Sequence, residues 1–341
     1  MAWESSPWMI GNGVEHTVEV ARLLAHAGTG GAEGIVTPGD CKVQPLNTPG
    51  TKVRIAPGAV LLKNRYPGGQ QQTYVGRNTS EHEVSVTATG SSGGRSDLVV
   101  ARVLDPQYEG QEPVDPNDFD YMRTEIIEDV PSSTKRFDEL GLNYPAVALA
   151  RIDLPASTGT VQAQHVTDLR VMAQPRKERH LIAYALTSND GPNNDGVFTL
   201  TSTTGAAWPR IEELGNTQDW YLEVPEWAER VRVVATWGGV RIEKDGNNSN
   251  NVYGHIWVHI GAVDDPDAVE SQTTSFDTSN TADNVREAWM AADDRVMPKS
   301  LRGRTIPFYM RGKISGGTYA RPKLTRLSSV VLDVEFYETT V

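Results

Sequence analysis

The sequence predicts an all-β protein: two β-sandwich or barrel-like domains, a short N-terminal helix, and one short helix in the C-terminal domain. Three observations predict it. Apolar and polar residues alternate by two over many short stretches, the period of a strand with one dry and one wet face. Turn clusters rich in Gly, Pro, Asn and Asp separate those stretches. Apolar residues make up 38% of the 341 positions and Gly adds 31, which is enough to build a core.

Taken in order, the first element is a helix. Asn12 and Glu15 have the spacing of a capping box, and Val14, Val18, Ala21 and Ala25 then recur at helical spacing until Gly28. The helix is expected to dock on a sheet. The Gly/Ala-rich stretch Gly28 to Gly34 follows as a flexible joint. Val53 and Ile55 alternate with Lys52 and Arg54, and Val84, Val86 and Ala88 with Glu83, Ser85 and Thr87. Residues 105–143 form a long acidic excursion carrying Pro106, Pro113, Pro116 and Pro131, with a strand only over Met122–Val130. Such a loop is expected to wrap over or project into a neighbour.

Later alternations set Val231, Val233 and Ala235 against Arg230 and Arg232, and Val330, Leu332, Val334 and Phe336 against Asp333 and Glu335. Between them, Ala282 to Asp293 carries Val285, Ala288, Trp289 and Ala292 on one helical stripe and is assigned as the second helix. The domains are placed at 1–35 (helical attachment segment), 36–173 (first β domain), 174–180 (polar linker) and 181–341 (C-terminal β-sandwich).

Charge narrows the function. With 32 basic and 44 acidic residues the net charge is −12, and no basic run supplies the footprint that nucleic acid requires. An anionic membrane surface repels such a chain, and no apolar stretch approaches the ~20 residues that span a bilayer. The first ten residues lack a cationic and an apolar region, so no secretory signal is expected. Cys41 stands alone, which excludes an internal disulfide and a Cys-clustered zinc site. No metal and no cofactor are expected.

Four constellations are candidates for chemistry. Gly90 to Gly94 matches G-x-S-x-G with Ser92 central, but the motif needs a helix after it and here a strand, Asp97 to Val103, follows; serine hydrolysis is rejected. The acidic loops Asp264–Asp267 and Asp190–Asp195 lack the twelve-residue calcium pattern and read as solvated turns. His255 and His259 are four residues apart, about 13 Å on a strand, too far to share one ion. Together with Tyr253 and Trp257 they form a candidate binding surface for glycan. The competing reading is a second buried sheet face, covered by the Trp289 helix or a neighbouring subunit.

Of the eight Trp, Trp220 and Trp237 fall on core faces. Trp3 and Trp8 precede the first helix in a terminal segment with little core of its own, and are candidate anchors for assembly with a partner. Glycoside hydrolysis needs two carboxylates in a cleft, and the sequence selects no such pair. No catalytic residue is assigned, and the chain is expected not to be an enzyme.

The stretch from Gly50 to Leu62 resembles the "V-x-V-x-x-G-x-A" opening strands of minor tail and baseplate proteins of tailed phages. The likeness continues in Glu83–Ala88, in the Arg-Ser-Asp-x-Val-Val-x-Arg run from Arg95 to Arg102, in Tyr144 to Asp153, and in Val166-Thr-Asp-Leu-Arg170. Trp220 to Ala228, Val231 to Trp237 and Leu332 to Phe336 are similar to the C-terminal sandwich of minor tail proteins from phages of actinobacteria.

The resemblance implies a structural protein of the virion, placed in the tail tip or baseplate, made and assembled in the host cytoplasm. It implies homo-oligomers, trimers above all, contacts with other phage tail proteins, and a part in host-cell adsorption. Residues 1–35 would attach to the tail and the second domain would face the host envelope. The alternatives are a carbohydrate-binding receptor-recognition module acting on cell-wall glycan and, less supported, an envelope polysaccharide hydrolase.

Overall fold

Sheets built from the alternating stretches dominate the computed structural model, which describes residues 17–110, 115, 119–243, 251–278, 284–317 and 320–340. The chain divides into two units, Met1–Pro175 with Thr339–Val341, and Arg176–Glu338. Asn12 and Glu15 of the expected capping box lie outside the described residues, as do Trp3 and Trp8.

The first unit contains α1 (Val18–Thr29), β1 (Gly34–Ile35), β2 (Val43–Pro45), β3 (Lys52–Ile55), β4 (Gly58–Lys63), β5 (Thr73–Asn78), β6 (His82–Ser85), β7 (Arg95–Val103), α2 (Pro106–Glu109), β8 (Met122–Ile127), β9 (Ala146–Leu154) and β10 (Val166–Asp168). They form three sheets, in the orders β1-β4-β5, β2-β3-β6 and β10-β9-β7-β8. One core, including Val53, Ile55, Val60, Leu62, Val99 and Ile152, lies among them. The other face of the four-stranded sheet is also buried. There Leu98, Val100 and Ala146 pack with Val130 and Phe137 of the excursion. Ile127, Leu140 and Leu142 of the excursion pack against the same cluster, within its own unit.

The helix docks the opposite way round from its sequence pattern. Arg22 donates to Asp105 Oδ2 at 2.6 Å and to Gln107 Oε1 at 2.6 Å, and its guanidinium lies 5.1 Å from the Tyr74 ring centroid. His26 Nδ1 meets Thr73 Oγ1 at 3.1 Å. With these polar residues and the buried Val20 against the unit, Val18, Leu23 and Leu24 remain 61%, 43% and 46% exposed, and Ala21 and Ala27 are exposed beside them. Nor does the helix end at Gly28: it runs to Thr29 and is capped by Gly30 at φ +61°. The expected flexible joint is tied down as well, since Ile35 N–H donates to Val171 O and Gly34 has no room for a side chain against the same carbonyl.

The second unit contains β11 (Lys177–Ala185), β12 (Phe198–Thr199), β13 (Ala206–Ala207), β14 (Tyr221–Glu223), β15 (Arg230–Glu243), β16 (Val252–Ile260), β17 (Val269–Glu270), β18 (Thr274–Thr278), β19 (Asn284–Val296), β20 (Thr305–Gly316), β21 (Arg321–Leu324) and β22 (Ser329–Tyr337). One sheet runs β11-β22-β15-β21-β12 with β19 on the far side of β15. The other runs β13-β20-β16-β17 with β14 on β20 and β18 on β16. Between them lie Val231, Val233, Val330, Leu332, Ile256, Val258, Phe308 and the two expected core indoles, Trp220 and Trp237. This is a β-sandwich. β11 begins at Lys177, so most of the expected linker 174–180 belongs to a strand.

The expected second helix is a strand. β19 pairs with β15 from end to end, from Val296 opposite Arg230 to Asn284 opposite Glu243. Trp289 and Ala291 point into the core while Ala288 and Met290 are exposed, which is period two. Ala, Glu, Arg and Met favour a helix locally, but the ladder offered by β15 outweighs that preference. β15 itself carries a bulge between Trp237 and Val240, after which the buried set moves from odd to even positions (Val240, Ile242). Among the described residues no helix is long and apolar enough to cross a membrane.

Candidate functional site

The candidate binding surface lies on β16, where Val252, Ile256, Val258 and Ile260 face the sandwich core and Tyr253, His255, Trp257 and His259 face away from it. Register fixes their neighbours. His255 stands between Lys313 and Ser275, Trp257 beside Arg311, and His259 between Tyr309 and Glu270. Along one strand the four residues fall into two environments.

Trp257 and His259 are covered, at 6% and 4% exposure. Glu270 Oε1 accepts from Trp257 Nε1 at 3.1 Å, contacts His259 Nδ1 at 3.1 Å and accepts from Arg311 Nη1 at 3.4 Å. Burial works against the charge on this carboxylate. The hydrogen bonds from His259 and Trp257 and the charges of His259 and Arg311 overcome that and hold Glu270 below the ordinary carboxylate range. Arg311 sits 5.4 Å from the Trp257 ring centroid, and its Nη2 donates to Gly205 O at 3.1 Å. The indole is thus covered by the turn at Gly205 and flanked by Arg311. Trp257 and His259 are thus buried by their own chain, and not by a Trp289 helix. Trp289 is in the core, its ring stacked on Phe276 at 4.0 Å.

Tyr253 and His255 are the open end. Tyr253 is 46% exposed, and His255 is half-buried, with Nδ1 3.2 Å from Ser275 Oγ. The structure therefore separates the four residues: Tyr253 and His255 line a surface, while Trp257 and His259 belong to a buried polar cluster. Sequence reasoning missed Glu270 and Arg311, which come from other strands. Only strand register brings them to Trp257, and no local spacing encodes it.

The other candidate loops are structural. Ser92 lies in the turn ahead of β7. Asp190 is 2% exposed rather than solvated, accepting from Tyr184 Oη at 2.9 Å and from the Thr187 N–H at 2.6 Å. Asp267 N–H donates to Asp265 Oδ1 in a local turn.

Charged residues of the motifs that carry the resemblance in the first unit are engaged internally. Asp97, fully buried, accepts from Arg95 Nε at 2.7 Å and Nη2 at 2.8 Å and from the Asp129 N–H at 3.0 Å. Arg170 donates to both oxygens of Asp168 and to the carbonyls of Pro38 and Asp40, at 2.7–2.9 Å. Asp153 takes Arg151 on both oxygens and Ser96 Oγ on one. These are pins between strands and loops, and none presents a free acid beside a free base.

No protein-family model and no curated protein matches the chain. Among solved structures, the chain is similar at 12% identity to one described as the structure of infectious bursal disease virus Gx strain, covering 90% of this chain and 70% of that one with a TM-score of 0.21. A second, the crystal structure of the infectious bursal disease virus VP2 subviral particle, aligns at 11% identity over 91% and 73% of the two chains, with a TM-score of 0.19. At such scores the alignments assign neither a shared fold nor a shared role.

Proposed function

We propose that the chain is a structural protein of a virion, a minor tail protein of the tail tip or baseplate that contributes to tail assembly and host adsorption. The observation that carries this reading is α1. A helix held to its unit by Arg22 and His26 turns Val18, Ala21, Leu23, Leu24 and Ala27 outward. Exposing a contiguous apolar stripe is costly in a free monomer and is the mark of a surface that another protein covers. It lies in the segment to which the tail-protein resemblance gives attachment.

The motifs that carry the resemblance supply further support, because they coincide in order with β3, β4, β6, β7, β9 and β10, and their charges are spent on holding those strands. Copies assemble as a homo-oligomer, a trimer by the resemblance, alongside other tail proteins. Immunogold labelling of purified particles tests the placement: gold at the tail tip supports it, and particles without label overturn it. Leu24→Glu, on the exposed stripe, should leave the chain folded but absent from particles.

A second reading, recognition of cell-envelope glycan by the second unit, is favoured by the exposed ring of Tyr253. Titration of peptidoglycan fragments against the protein and against Tyr253→Ala distinguishes it from pure scaffolding.

A further inference from the structure

The outermost strands of two separate sheets face each other across a cleft in the first unit. Among the described residues β6 pairs only with β3 and β8 only with β7. Each therefore keeps one row of backbone N–H and C=O groups without a strand partner. The cleft has a volume of about 640 Å³, inside the usual size range of ligand sites. Its floor is the core itself: Cys41, Ile55, Val60, Ala101 and Leu149, none more than 4% exposed. A single side-chain bond, His82 Nε2 to Thr124 Oγ1 at 3.0 Å, ties β6 to β8 across the gap.

We propose that this cleft takes up an extended segment of a partner polypeptide, which completes the wall between β6 and β8 by strand addition. The chemistry of the walls selects the occupant. Unpaired strand edges ask for alternating backbone donors and acceptors, which an extended peptide supplies and a lipid does not. None of the lining residues is Phe, Tyr or Trp, so a sugar ring finds nothing to stack on. Arg77 and Arg123 on the rim are matched by Glu83 and Asp120, so the site holds no cationic excess for a phosphate.

The length of β6 sets the reach. Four residues extend about 13 Å, so the occupant pairs over about four to six residues. Its inward side chains meet the apolar floor and are small and apolar; its outward ones are polar and carry no net charge. The His82–Thr124 bond is the tie that the incoming strand replaces. The inference stands independently of the place assigned to the chain in a particle.

Amide hydrogen exchange on the full chain tests it, with acetyl-Thr-Val-Thr-Val-Thr-amide as the probe at millimolar concentration. Exchange in His82–Ser85 and Met122–Thr124 should slow by about tenfold, and acetyl-Thr-Pro-Thr-Pro-Thr-amide, lacking the alternate N–H groups, should have no effect. Thr124→Arg, at the half-buried mouth, should abolish the protection while leaving exchange in β15 and β22 unchanged. His82→Ala should retain it. Unchanged exchange with the valine peptide, or equal protection by the proline peptide, overturns the proposal. So does protection by N-acetylglucosamine in place of peptide.

Discussion

Gly205 closes over the indole of Trp257 so tightly that a Cβ on the glycine would stand 2.6 Å from the ring edge. The glycine also holds φ +107°, a conformation that L side chains rarely adopt. Trp257 is therefore a packing residue. Trp257→Ala should cost ~3–5 kcal/mol of second-unit stability, read as a lowered urea midpoint at unchanged slope. Gly205→Ala should destabilise through the same contact. A Trp257→Ala protein of unchanged stability would show the ring to be free.

Arg176 and Glu338 give the second unit a pH response. Arg176 Nε and Nη2 donate to the two carboxylate oxygens of Glu338 at 3.0 and 2.7 Å, and the carboxylate is 3% exposed. Burial opposes its charge, but the Arg176 hydrogen bonds prevail and lower its pKa from the ordinary 4.5. A carboxyl depressed on folding stabilises above its unfolded pKa, and that contribution is lost as pH falls through the folded value. Thermal melts of the wild type should therefore decline below pH 4.5 more steeply than those of Arg176→Ala. At neutral pH that variant should be weaker by ~1–3 kcal/mol.

Arg170 is expected to hold the loop at Pro38–Asp40. Its side chain is 1% exposed. Replacing it with Met keeps much of the volume but strips the carbonyls of Pro38 and Asp40 of their donor. The cost should be ~2–4 kcal/mol, with amide exchange around residues 37–41 accelerated more than in β15 and β22. Equal acceleration throughout would remove the local role.

Cys41 should be an inert thiol. Burial first, and the nearby Asp40 second, push it up to about 11 from 9.0, with Arg170 opposing. A thiol whose pKa is raised on folding stabilises fully below 9.0, and this fades as pH climbs from 9.0 towards 11. Ellman's reagent at pH 8 should label the native chain at least about a hundredfold more slowly than the urea-unfolded one. Comparable rates would place Cys41 in open solvent.

How much of this was legible in the sequence depends on how local each feature is. Val330, Leu332, Val334 and Phe336 announce their strand because a half-wet sheet imposes period two on consecutive residues. Residues 282–293 mislead because Val285, Ala288, Trp289 and Ala292 satisfy a helix while Trp289 and Ala291 satisfy a strand; only the β15 partner decides. For α1 the apolar stripe was visible but not its direction, which Asp105, Gln107 and Thr73 set from far along the chain. On β16 the alternation of Tyr253, His255, Trp257 and His259 against the core residues was readable. Whether those side chains were open or covered was not, because Glu270, Arg311 and Gly205 arrive by register and turn.

Glu338 N–H also donates to Arg176 O at 3.1 Å, so the first and last residues of the second unit are one hydrogen bond apart. The sandwich thus ends where it begins. A unit whose two ends lie this close tolerates new termini at its exposed turns while its core stays intact.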